Sequence, residues 1–323
     1  MNRSDVPGWK RWLAAAGAGR AVYLAWHAPL AWCRRSRREG GPWQQWLDHR
    51  GRRAMQAAAR RLPVQAPVAS GAPEAYFLTG RRFWYQTAFC AASLAGRSGH
   101  PWRFTFHDDG TFDDALTREA TRLFPGCRVV SRTETETRLE RALPAARFPA
   151  LRSQRLTYLH LRKLTDVHAG LEGWRLVLDS DMLFFRRPDE VLAWSGNPTV
   201  ALHLTDVSNA YGYPATALTQ LAGAPLPERL NVGVCGLRSD TIDWTQLEDW
   251  TAALLSRHGT SYYLEQALVA LLAARAPACL LPPSRYHVLP TEEECRRPTA
   301  VLHHYVDLSK RGYFRHAWKH QTV

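Results

Sequence analysis

From residue 75 onward, short apolar segments alternate with amphipathic segments, and this alternation constrains the fold more than any other feature of the sequence. Four short apolar runs are typical of β-strands: Ala75–Thr79, Arg103–His107, Arg128–Val130 and Arg175–Leu178. The segments between them have the apolar spacing of helices, including Trp84–Leu94 and Asp113–Phe124. Regular strand–helix alternation predicts an α/β domain with a mostly parallel central sheet flanked by helices.

Two further elements complete this prediction. Ser153 is expected to cap a helix whose buried face carries Leu156, Leu159, Leu164 and Val167. The strand Arg175–Leu178 is apolar enough to be buried on both faces. In sheets of this kind ligands bind at the carboxyl ends of the strands. The polar residues that directly follow each strand are therefore the first candidates for a functional site.

Residues 1–70 differ in composition from the rest of the chain. They contain 13 Lys and Arg against three acidic residues, whereas residues 71–323 contain 29 against 26. Two helices are predicted, Trp9–Trp32 and Trp43–Leu62, followed by a Pro-rich linker up to Pro73. We therefore predict a basic, Trp-rich helical extension with its linker over residues 1–70 and the α/β domain over residues 71–323.

Arg-rich helices with many Trp residues are typical of segments that bind an anionic membrane surface, and this is the partner we expect for residues 1–62. Nucleic acid is a disfavoured partner, and a helical cap packed on the main domain is the alternative. The six cysteines include no Cys-x-x-Cys pair, which disfavours a disulfide framework and a structural zinc site. No run approaches the roughly 20 apolar residues of a membrane span. These features predict a cytoplasmic protein, peripheral on the inner membrane face.

The sharpest local signal is a pair of carboxylates, Asp179 and Asp181, directly after the apolar strand that ends at Leu178. Residues two apart in an extended chain point to the same side, so both side chains can face one divalent cation. Carboxylate oxygens favour Mn²⁺ or Mg²⁺. A capped turn is the alternative, although the apolar residues on both sides of the pair disfavour a solvated turn.

A second candidate group lies near the carboxyl end of the chain. The segment Ala300–Val306 reads as a strand that contains His304, and Lys310 follows six residues later. A neutral imidazole can complete the protein ligands of a metal ion, and a lysine can contact a phosphate. An ordinary, partly buried histidine is the alternative.

Four motifs in a fixed order resemble those of the retaining sugar transferases of GT-A fold that include glycogenin and the bacterial lipopolysaccharide galactosyltransferases. The motifs are Asp179–Asp181, Asn231–Gly233, Glu265–Gln266 and His304–Lys310. With the first strands included, the resemblance covers roughly residues 75 to 315. The last one departs from the family pattern, because Asp307 stands where the family has glycine. Glu265 also replaces the commoner aspartate. The resemblance implies a Rossmann-like GT-A fold of a divergent branch.

The resemblance also implies roles for the residues of these motifs. Asp179 would contact the ribose and the metal, Asp181 and His304 would complete the metal site, and Lys310 would neutralise the diphosphate. A basic residue that reaches the donor would come from Arg162 or Lys163. The nucleotide would be bordered by Thr79, Tyr85, Asp108 and Asp109, although a simple Asp-Gly turn is the alternative for the last two.

Around the sugar, the resemblance places Asn231, Glu265 and Gln266, whose carboxylate and amide groups can stabilise an oxocarbenium-like transition state. Asp206 is the candidate general base if the reaction inverts configuration. The function implied is metal-dependent, retaining transfer of a hexose from a nucleotide sugar, with a UDP-sugar favoured, to a glycan, lipid or protein acceptor.

Two other functions remain open from the sequence. A metal-dependent nucleotidyltransferase would also use paired aspartates, but it needs a glycine-rich phosphate loop after the first strand, where this chain has Leu78–Phe83 with a single glycine. The other is a non-catalytic protein that binds nucleic acid or membrane and carries a GT-A-like domain.

Overall fold

The computed structural model describes residues 40–321. The helix predicted over Trp9–Trp32 lies outside the described residues. By its internal contacts the chain divides into two units, Met1–Arg53 and Ala54–Val323. The helix predicted over Trp43–Leu62 is observed as α1, Pro42–Ala59. No helix in the described part of the chain has the length and apolarity needed to cross a membrane.

The second unit alternates strands and helices, as the sequence predicts. Its strands are β1 Glu74–Thr79, β2 Arg103–Asp108, β3 Arg128–Val130, β4 Trp174–Leu178, β5 Met182–Phe184, β6 Ala201–Thr205, β7 Leu230–Arg238, β8 Ala278–Leu280, β9 Tyr286–Val288 and β10 Leu302–His304. Its helices are α2 Trp84–Ser98, α3 Asp114–Leu123, α4 Arg132–Ala142, α5 Pro149–Thr157, α6 Arg162–His168, α7 Asp189–Gly196, α8 Ala215–Ala222, α9 Trp244–His258, α10 Leu264–Ala273, α11 Glu292–Arg296 and α12 Lys310–Arg315. Short 3₁₀ turns lie at Leu159–Leu161, Ser239–Thr241, Asp307–Ser309 and Ala317–Gln321.

The strands form one large sheet and one small sheet. The large sheet has the order β3-β2-β1-β4-β7-β6-β8, and the small sheet has the order β5-β10-β9. In the large sheet, β7 runs antiparallel to both of its neighbours, and the other pairs are parallel. The prediction of an α/β fold with a mostly parallel central sheet flanked by helices is therefore confirmed.

Strand β4 shows how the large sheet is buried. Leu176 and Leu178 pack into an apolar core on one face, and Val177 packs into a second core on the other face. This alternation follows from the period of two in a strand. Burial on both faces is what the uninterrupted apolar run predicts, and it fixes the end of β4 in the middle of the sheet.

One predicted helix differs from the structure. Ser153 does not cap a helix, because α5 begins four residues earlier at Pro149, in the first turn where proline needs no hydrogen-bond donor. Helix α5 ends at Thr157 and a separate helix, α6, begins at Arg162. Leu156 and Leu159 are consequently 61% and 51% exposed rather than buried. Tyr158, with φ −121° and ψ 94°, is the extended residue that separates the two helices.

The cysteines of the described residues, Cys90, Cys127, Cys235, Cys279 and Cys295, form no disulfide bond.

Candidate functional site

The Asp179–Asp181 segment lies where the chain crosses from the large sheet to the small sheet. Strand β4 ends at Leu178 and β5 begins at Met182, so the two carboxylates and Ser180 occupy the whole crossing. The backbone N–H of Asp179 donates to Gly233 O at 2.8 Å, and that of Tyr305 donates to Asp181 O at 2.9 Å. Hydrogen bonds to both sheets therefore hold the crossing in place.

His304 reaches the carboxylates because β10 pairs antiparallel with β5, which places His304 opposite Met182. Its ring lies against strand β7. A Cβ atom on Gly233 would stand 2.5 Å from both Cε1 and Nδ1 of His304, a distance that real Cβ atoms essentially never show. The glycine of the Asn231–Gly233 motif thus makes room for the imidazole. The structure brings together all three predicted metal ligands.

The geometry of these three residues fits a divalent cation. The Nε2 atom of His304 lies 3.5 Å from Asp179 Oδ2 and 3.4 Å from Asp181 Oδ1, longer than good hydrogen bonds. Each residue offers a ligand atom within 4.8 Å of the others. Oxygen atoms that share one cation at about 2.0–2.6 Å are themselves separated by roughly 3–4 Å. Asp179, Asp181 and His304 could therefore hold Mn²⁺ or Mg²⁺.

The pKa shifts of His304 and Asp181 show that a positive charge is favoured between Asp179, Asp181 and His304. Burial alone would lower the pKa of His304, but the neighbouring Asp179 and Asp181 outweigh it and raise that pKa to about 9. Burial alone would raise the pKa of Asp181, but His304 and the charge of Lys310 lower it. The raised pKa of His304 reports the negative potential of the two carboxylates, which a bound cation would neutralise, and the lowered pKa of Asp181 reports the positive groups beside it.

Two lysines flank the carboxylates in different environments. Lys163, in α6, is buried, and its Nζ lies 2.6 Å from Asp179 Oδ1 and 3.3 Å from Glu265 Oε2. Lys310 is partly exposed, and its Nζ lies 3.0 Å from Asp181 Oδ2. Lys163 is therefore an internal counter-ion, whereas Lys310 faces the solvent side from which a phosphate would arrive.

Arg162, the neighbour of Lys163, points elsewhere. Its Nη1 donates to Asp109 O at 2.9 Å and its Nε donates to Arg155 O at 3.2 Å. Of the two basic residues predicted on this helix, the structure brings only Lys163 to the carboxylates. Arg162 instead supports the loop that follows β2.

Asp206, Asn231 and Gln266 form one hydrogen-bonded network at the ends of β6, β7 and α10. Asp206 Oδ2 accepts from Asn231 Nδ2 at 2.8 Å and from Gln266 Nε2 at 3.4 Å. Its Oδ1 accepts from the Val207 N–H at 2.7 Å. The Asn231 Oδ1 in turn accepts from the Gly233 N–H at 2.9 Å. The network orients both amides and occupies both oxygens of Asp206.

Glu265 lies in the first turn of α10 and is buried. Its pKa is raised to about 8, mainly by burial and also by the charge of Asp179, against the lowering effect of Lys163. Glu265 thus joins the site through Lys163, which contacts Asp179, whereas Lys310 contacts Asp181.

Thr79 and Tyr85 are both buried at the ends of β1 and α2. The hydroxyl of Thr79 lies 2.6 Å from the Thr87 hydroxyl, which lies 2.8 Å from Ser180 Oγ. Tyr85 OH accepts from Gln86 Nε2 at 3.1 Å. Thr87 was not among the predicted site residues. No motif marks it, and only the packing of α2 against the crossing shows that it links β1 to the segment between the two aspartates.

Asp108 and Asp109 use their carboxylates within a turn. Asp108 Oδ1 accepts from the N–H groups of Gly110 and Phe112, and Asp109 Oδ1 accepts from the N–H and hydroxyl of Thr111. This is the arrangement that the Asp-Gly turn alternative describes. The Asp109 N–H also donates to Thr79 O at 2.9 Å, so the turn lies beside the end of β1.

Asp307 shows why the glycine of the family motif can be replaced here. Its φ of 43° lies in the left-handed region that favours glycine. Among residues with a side chain, Asp and Asn adopt this conformation most readily. Asp307 thus supplies the left-handed residue that the chain uses between His304 and Lys310.

Comparison with known proteins gives structural likenesses only. No family model matches the chain, and no curated protein matches it. It is similar to the apo form of mouse xyloside xylosyltransferase 1, with 12% identity, a TM-score of 0.43 and coverage of 72% of this chain and 97% of that one. It is similar to galactosyltransferase LgtC in complex with donor and acceptor sugar analogs, with 16% identity, a TM-score of 0.46 and coverage of 75% and 83%. It is also similar to the mannosyltransferase Ktr4p of S. cerevisiae, with 11% identity, a TM-score of 0.44 and coverage of 72% and 78%.

These solved structures are sugar transferases, the class that the four ordered motifs of the sequence resemble.

Proposed function

We propose that the chain is a metal-dependent glycosyltransferase that moves a hexose from a nucleotide-sugar donor, most simply a UDP-sugar, to an acceptor. The observation that carries the proposal is the cluster of Asp179, Asp181 and His304 at the carboxyl end of β4, with Lys310 beside it. Such a cluster suits a diphosphate, whose negative charge needs both a cation and a lysine. Mn²⁺ and Mg²⁺ are the metals proposed.

The chemistry divides among the residues in the following way. In the transfer, the bond between the sugar C1 and the diphosphate oxygen breaks, and a bond forms between C1 and an acceptor oxygen. A metal held by Asp179, Asp181 and His304 would supply positive charge to the leaving diphosphate. Lys310 would stabilise the same charge, because its ammonium group lies on the partly exposed side of Asp181. Lys163 keeps Asp179 and Glu265 in position.

We propose further that the reaction retains the configuration at C1. An inverting reaction needs a general base that can reach the acceptor. Asp206 and Glu265 are both buried, Asp206 within its hydrogen-bond network and Glu265 against Lys163. With neither group exposed, the acceptor proton would pass to the leaving diphosphate. Asn231, Glu265 and Gln266 would line the donor sugar, and Thr79, Tyr85, Asp108, Asp109 and Arg162 would shape the nucleotide side through the loops after β1 and β2.

The extension over residues 1–70 is proposed to bring the enzyme to an anionic membrane surface, on the cytoplasmic side, and residues 71–323 to carry the chemistry. Within the described part of the extension, Trp43 and Trp46 are 63% and 47% exposed and their rings stack at 4.8 Å. The Arg50 guanidinium lies 5.5 Å from the Trp46 ring centroid. Exposed Trp next to Arg is the composition of interfacial helices.

Co-sedimentation with vesicles tests this role. Wild-type protein is expected to bind vesicles that contain phosphatidylglycerol and not vesicles of phosphatidylcholine alone, and Trp43→Ser with Trp46→Ser should weaken the binding. Equal binding by the double variant, or preferential binding to duplex DNA in the same buffer, would contradict the membrane role.

The enzymatic proposal is tested with a panel of UDP-, GDP- and ADP-sugars, each with Mn²⁺, Mg²⁺ or EDTA. We expect one base to raise the thermal midpoint in a metal-dependent way and its sugar to be slowly hydrolysed, with the anomeric configuration of the released sugar read by NMR. No response to any nucleotide sugar refutes the proposal. Metal-dependent release of pyrophosphate from a nucleoside triphosphate would favour the nucleotidyltransferase instead.

Asp181→Asn provides the matched variant, because it keeps the size of the side chain and removes its charge. The expected result is a folded protein whose nucleotide-dependent thermal shift no longer responds to Mn²⁺. Asp240→Asn is the control, since Asp240 lies on the surface beside Arg238, outside the described site.

A further inference from the structure

The Tyr313 hydroxyl is buried close to the charged site and makes no hydrogen bond within the described part of the chain. Tyr313 lies in α12, and its side chain is fully buried. Buried polar groups in folded proteins are nearly always hydrogen-bonded, so an exception of this kind needs an explanation. A partner that arrives only in another state of the site would provide one.

Two contacts fix the position of Tyr313 relative to Asp181. Its ring stacks on the ring of Tyr305 with the centroids 4.4 Å apart, and the Tyr305 N–H donates to Asp181 O at 2.9 Å. The helix of Tyr313 begins at Lys310, whose Nζ lies 3.0 Å from Asp181 Oδ2. Burial raises the pKa of Tyr313, and the negative charge of Asp181 raises it further. The hydroxyl therefore lies within the electrostatic reach of this carboxylate.

The present partners of the Asp181 carboxylate both have another task in the proposed reaction. Lys310 Nζ lies beside Asp181 Oδ2, and His304 Nε2 lies 3.4 Å from Asp181 Oδ1. His304 would bind the metal, and Lys310 would neutralise the diphosphate. An ammonium group that turns to a phosphate leaves Asp181 Oδ2 without its donor. Because carboxylates that bind a metal are themselves hydrogen-bonded, a replacement donor is expected.

We propose that Tyr313 is a positioning residue for Asp181, whose Oδ2 accepts a hydrogen bond from the Tyr313 hydroxyl once Lys310 has turned to the diphosphate of the donor. This rests on the proposed transferase function and adds a residue to its metal site. The hydroxyl suits the exchange, since it has no bond to break within the described residues. A neutral donor also suits the loaded site, because it holds the carboxylate without adding a positive charge that would repel the metal.

Tyr313→Phe tests the proposal, because phenylalanine keeps the ring that stacks on Tyr305 and removes only the hydroxyl. Calorimetric titration of the full-length protein measures the Kd of Mn²⁺ alone and the Kd of an equimolar complex of Mn²⁺ with pyrophosphate, which stands in for the donor diphosphate. Tyr305→Phe is the matched control, since the Tyr305 hydroxyl has its own partner, His303 Nδ1, at 3.2 Å.

Tyr313→Phe should bind Mn²⁺ alone as the wild type does, because Lys310 still holds Asp181 in that state. It should bind the Mn²⁺–pyrophosphate complex about 10–100-fold more weakly, the effect of losing a group that supports a metal ligand. Its urea midpoint in EDTA should not fall, because no hydrogen bond among the described residues is lost. Tyr305→Phe should show the reverse, a lower urea midpoint and unchanged binding of the complex.

Dependence on Lys310 separates a positioning role from a purely structural one. Lys310→Met removes the ammonium group, so the Tyr313 hydroxyl should support Asp181 even with Mn²⁺ alone. Tyr313→Phe added to Lys310→Met should then weaken the binding of Mn²⁺ alone, although the same change has no such effect in the wild type. A structural tyrosine would have the same effect in both backgrounds.

Equal Kd values of the Mn²⁺–pyrophosphate complex for Tyr313→Phe and the wild type overturn the proposal and leave the metal site intact. Equal weakening of Mn²⁺ alone and of the complex also overturns it, because the hydroxyl would then support Asp181 at all times. A lower urea midpoint of Tyr313→Phe in EDTA would reveal a partner in the unloaded protein, with the same consequence. A wild type that binds neither Mn²⁺ nor the complex refutes the metal-dependent function together with the role of Tyr313.

Discussion

Replacing Gly233 with alanine probes the link between the central sheet and the metal ligands. The added Cβ would stand 2.5 Å from His304 Cε1 and Nδ1 and 3.0 Å from Asn231 Oδ1. Strand β7 cannot move away easily, because β4 and β6 pair with it on both sides. The imidazole of His304 is itself buried, so the ring must leave its position over the carboxylates.

Two effects of different size follow. Overpacking of a buried position costs about 1–3 kcal/mol of unfolding free energy. Displacement of a metal ligand should weaken metal binding by at least the 10–100-fold, roughly, that changes in the groups supporting a ligand cause. Mn²⁺ present at 100 times its Kd stabilises the wild-type fold by about 2.7 kcal/mol, and a 100-fold weaker Kd would leave only about 0.4 kcal/mol.

Urea unfolding with Mn²⁺ and with EDTA separates the two effects. Gly236→Ala is the matched control, because it lies on the same strand and its Cβ would stand 2.5 Å from Trp194 Cζ2, away from His304. Both variants should lose unfolding free energy in EDTA, and only Gly233→Ala should lose the stabilisation by Mn²⁺.

Full stabilisation of Gly233→Ala by Mn²⁺ would contradict a role of Gly233 in making room for a metal-binding His304. That result would mean that His304 is not a ligand, or that its ring can leave without consequence. Loss of the Mn²⁺ effect in Gly236→Ala as well would show that any disturbance of β7 disrupts the site, and that Gly233 has no particular role.

Three further predictions follow from single residues. Asp307→Gly should keep the unfolding free energy and Mn²⁺ binding of the wild type, whereas Asp307→Val should lose at least about 1 kcal/mol, because β-branched residues are strained at a φ of 43°; equal stability of both variants in urea would contradict this. Thr87→Val should weaken Mn²⁺ binding by removing the hydroxyl contact with Ser180, whereas Thr87→Ser should bind Mn²⁺ as the wild type does. Calorimetric titration measures both affinities. An unchanged affinity in Thr87→Val would show that the hydroxyl contacts of Thr87 do not support the site. Burial lowers the pKa of His107 and His203 to about 3, below an ordinary value near 6.5. Between these pH values the unfolded chain takes up protons on both rings and the folded chain does not. The unfolding free energy is therefore highest above pH 6.5 and falls as the pH falls. Each histidine should lower the unfolding free energy by about 2 kcal/mol between pH 7 and pH 5. His203→Leu should therefore lose about 2 kcal/mol less than the wild type over this range. An equal loss in the variant would show that the His203 ring is not buried in its neutral form.

Much of the fold was predictable from local patterns. The strands around Phe77, Phe106 and Leu176 were predictable because apolar runs of that length form buried strands. The helix predicted over Asp113–Phe124 is observed over Asp114–Leu123, and the structure adds that the Asp113 side chain caps it by accepting from the Leu116 N–H. The helix predicted from Ser153 was wrong, because apolar spacing alone does not reveal that the chain turns at Tyr158. The predicted boundary at residue 70 stays a prediction.

The candidate site was predictable to a similar extent. Motif spacing predicted Asp179, Asp181 and His304 as one group, and the family resemblance pointed to Asn231 and Gln266. Neither showed that these two amides share one hydrogen-bonded network with Asp206. Motif spacing also could not show that Arg162 turns toward Asp109 while Lys163 turns toward Asp179, since neighbouring helical residues point about 100° apart and only packing decides which of them enters the site.

The sequence alone determined which chemical groups the protein has and roughly where each lies relative to a strand end, because strand and helix periods are local properties. The tertiary structure decided which of those groups meet. Antiparallel pairing of β10 with β5 brings His304 to a carboxylate pair more than 120 residues earlier in the chain. The missing side chain of Gly233 gives the imidazole its room, and the break at Tyr158 exposes two leucines that the helical pattern would have buried. Contacts between distant segments depend on sheet order and packing, which no local pattern encodes.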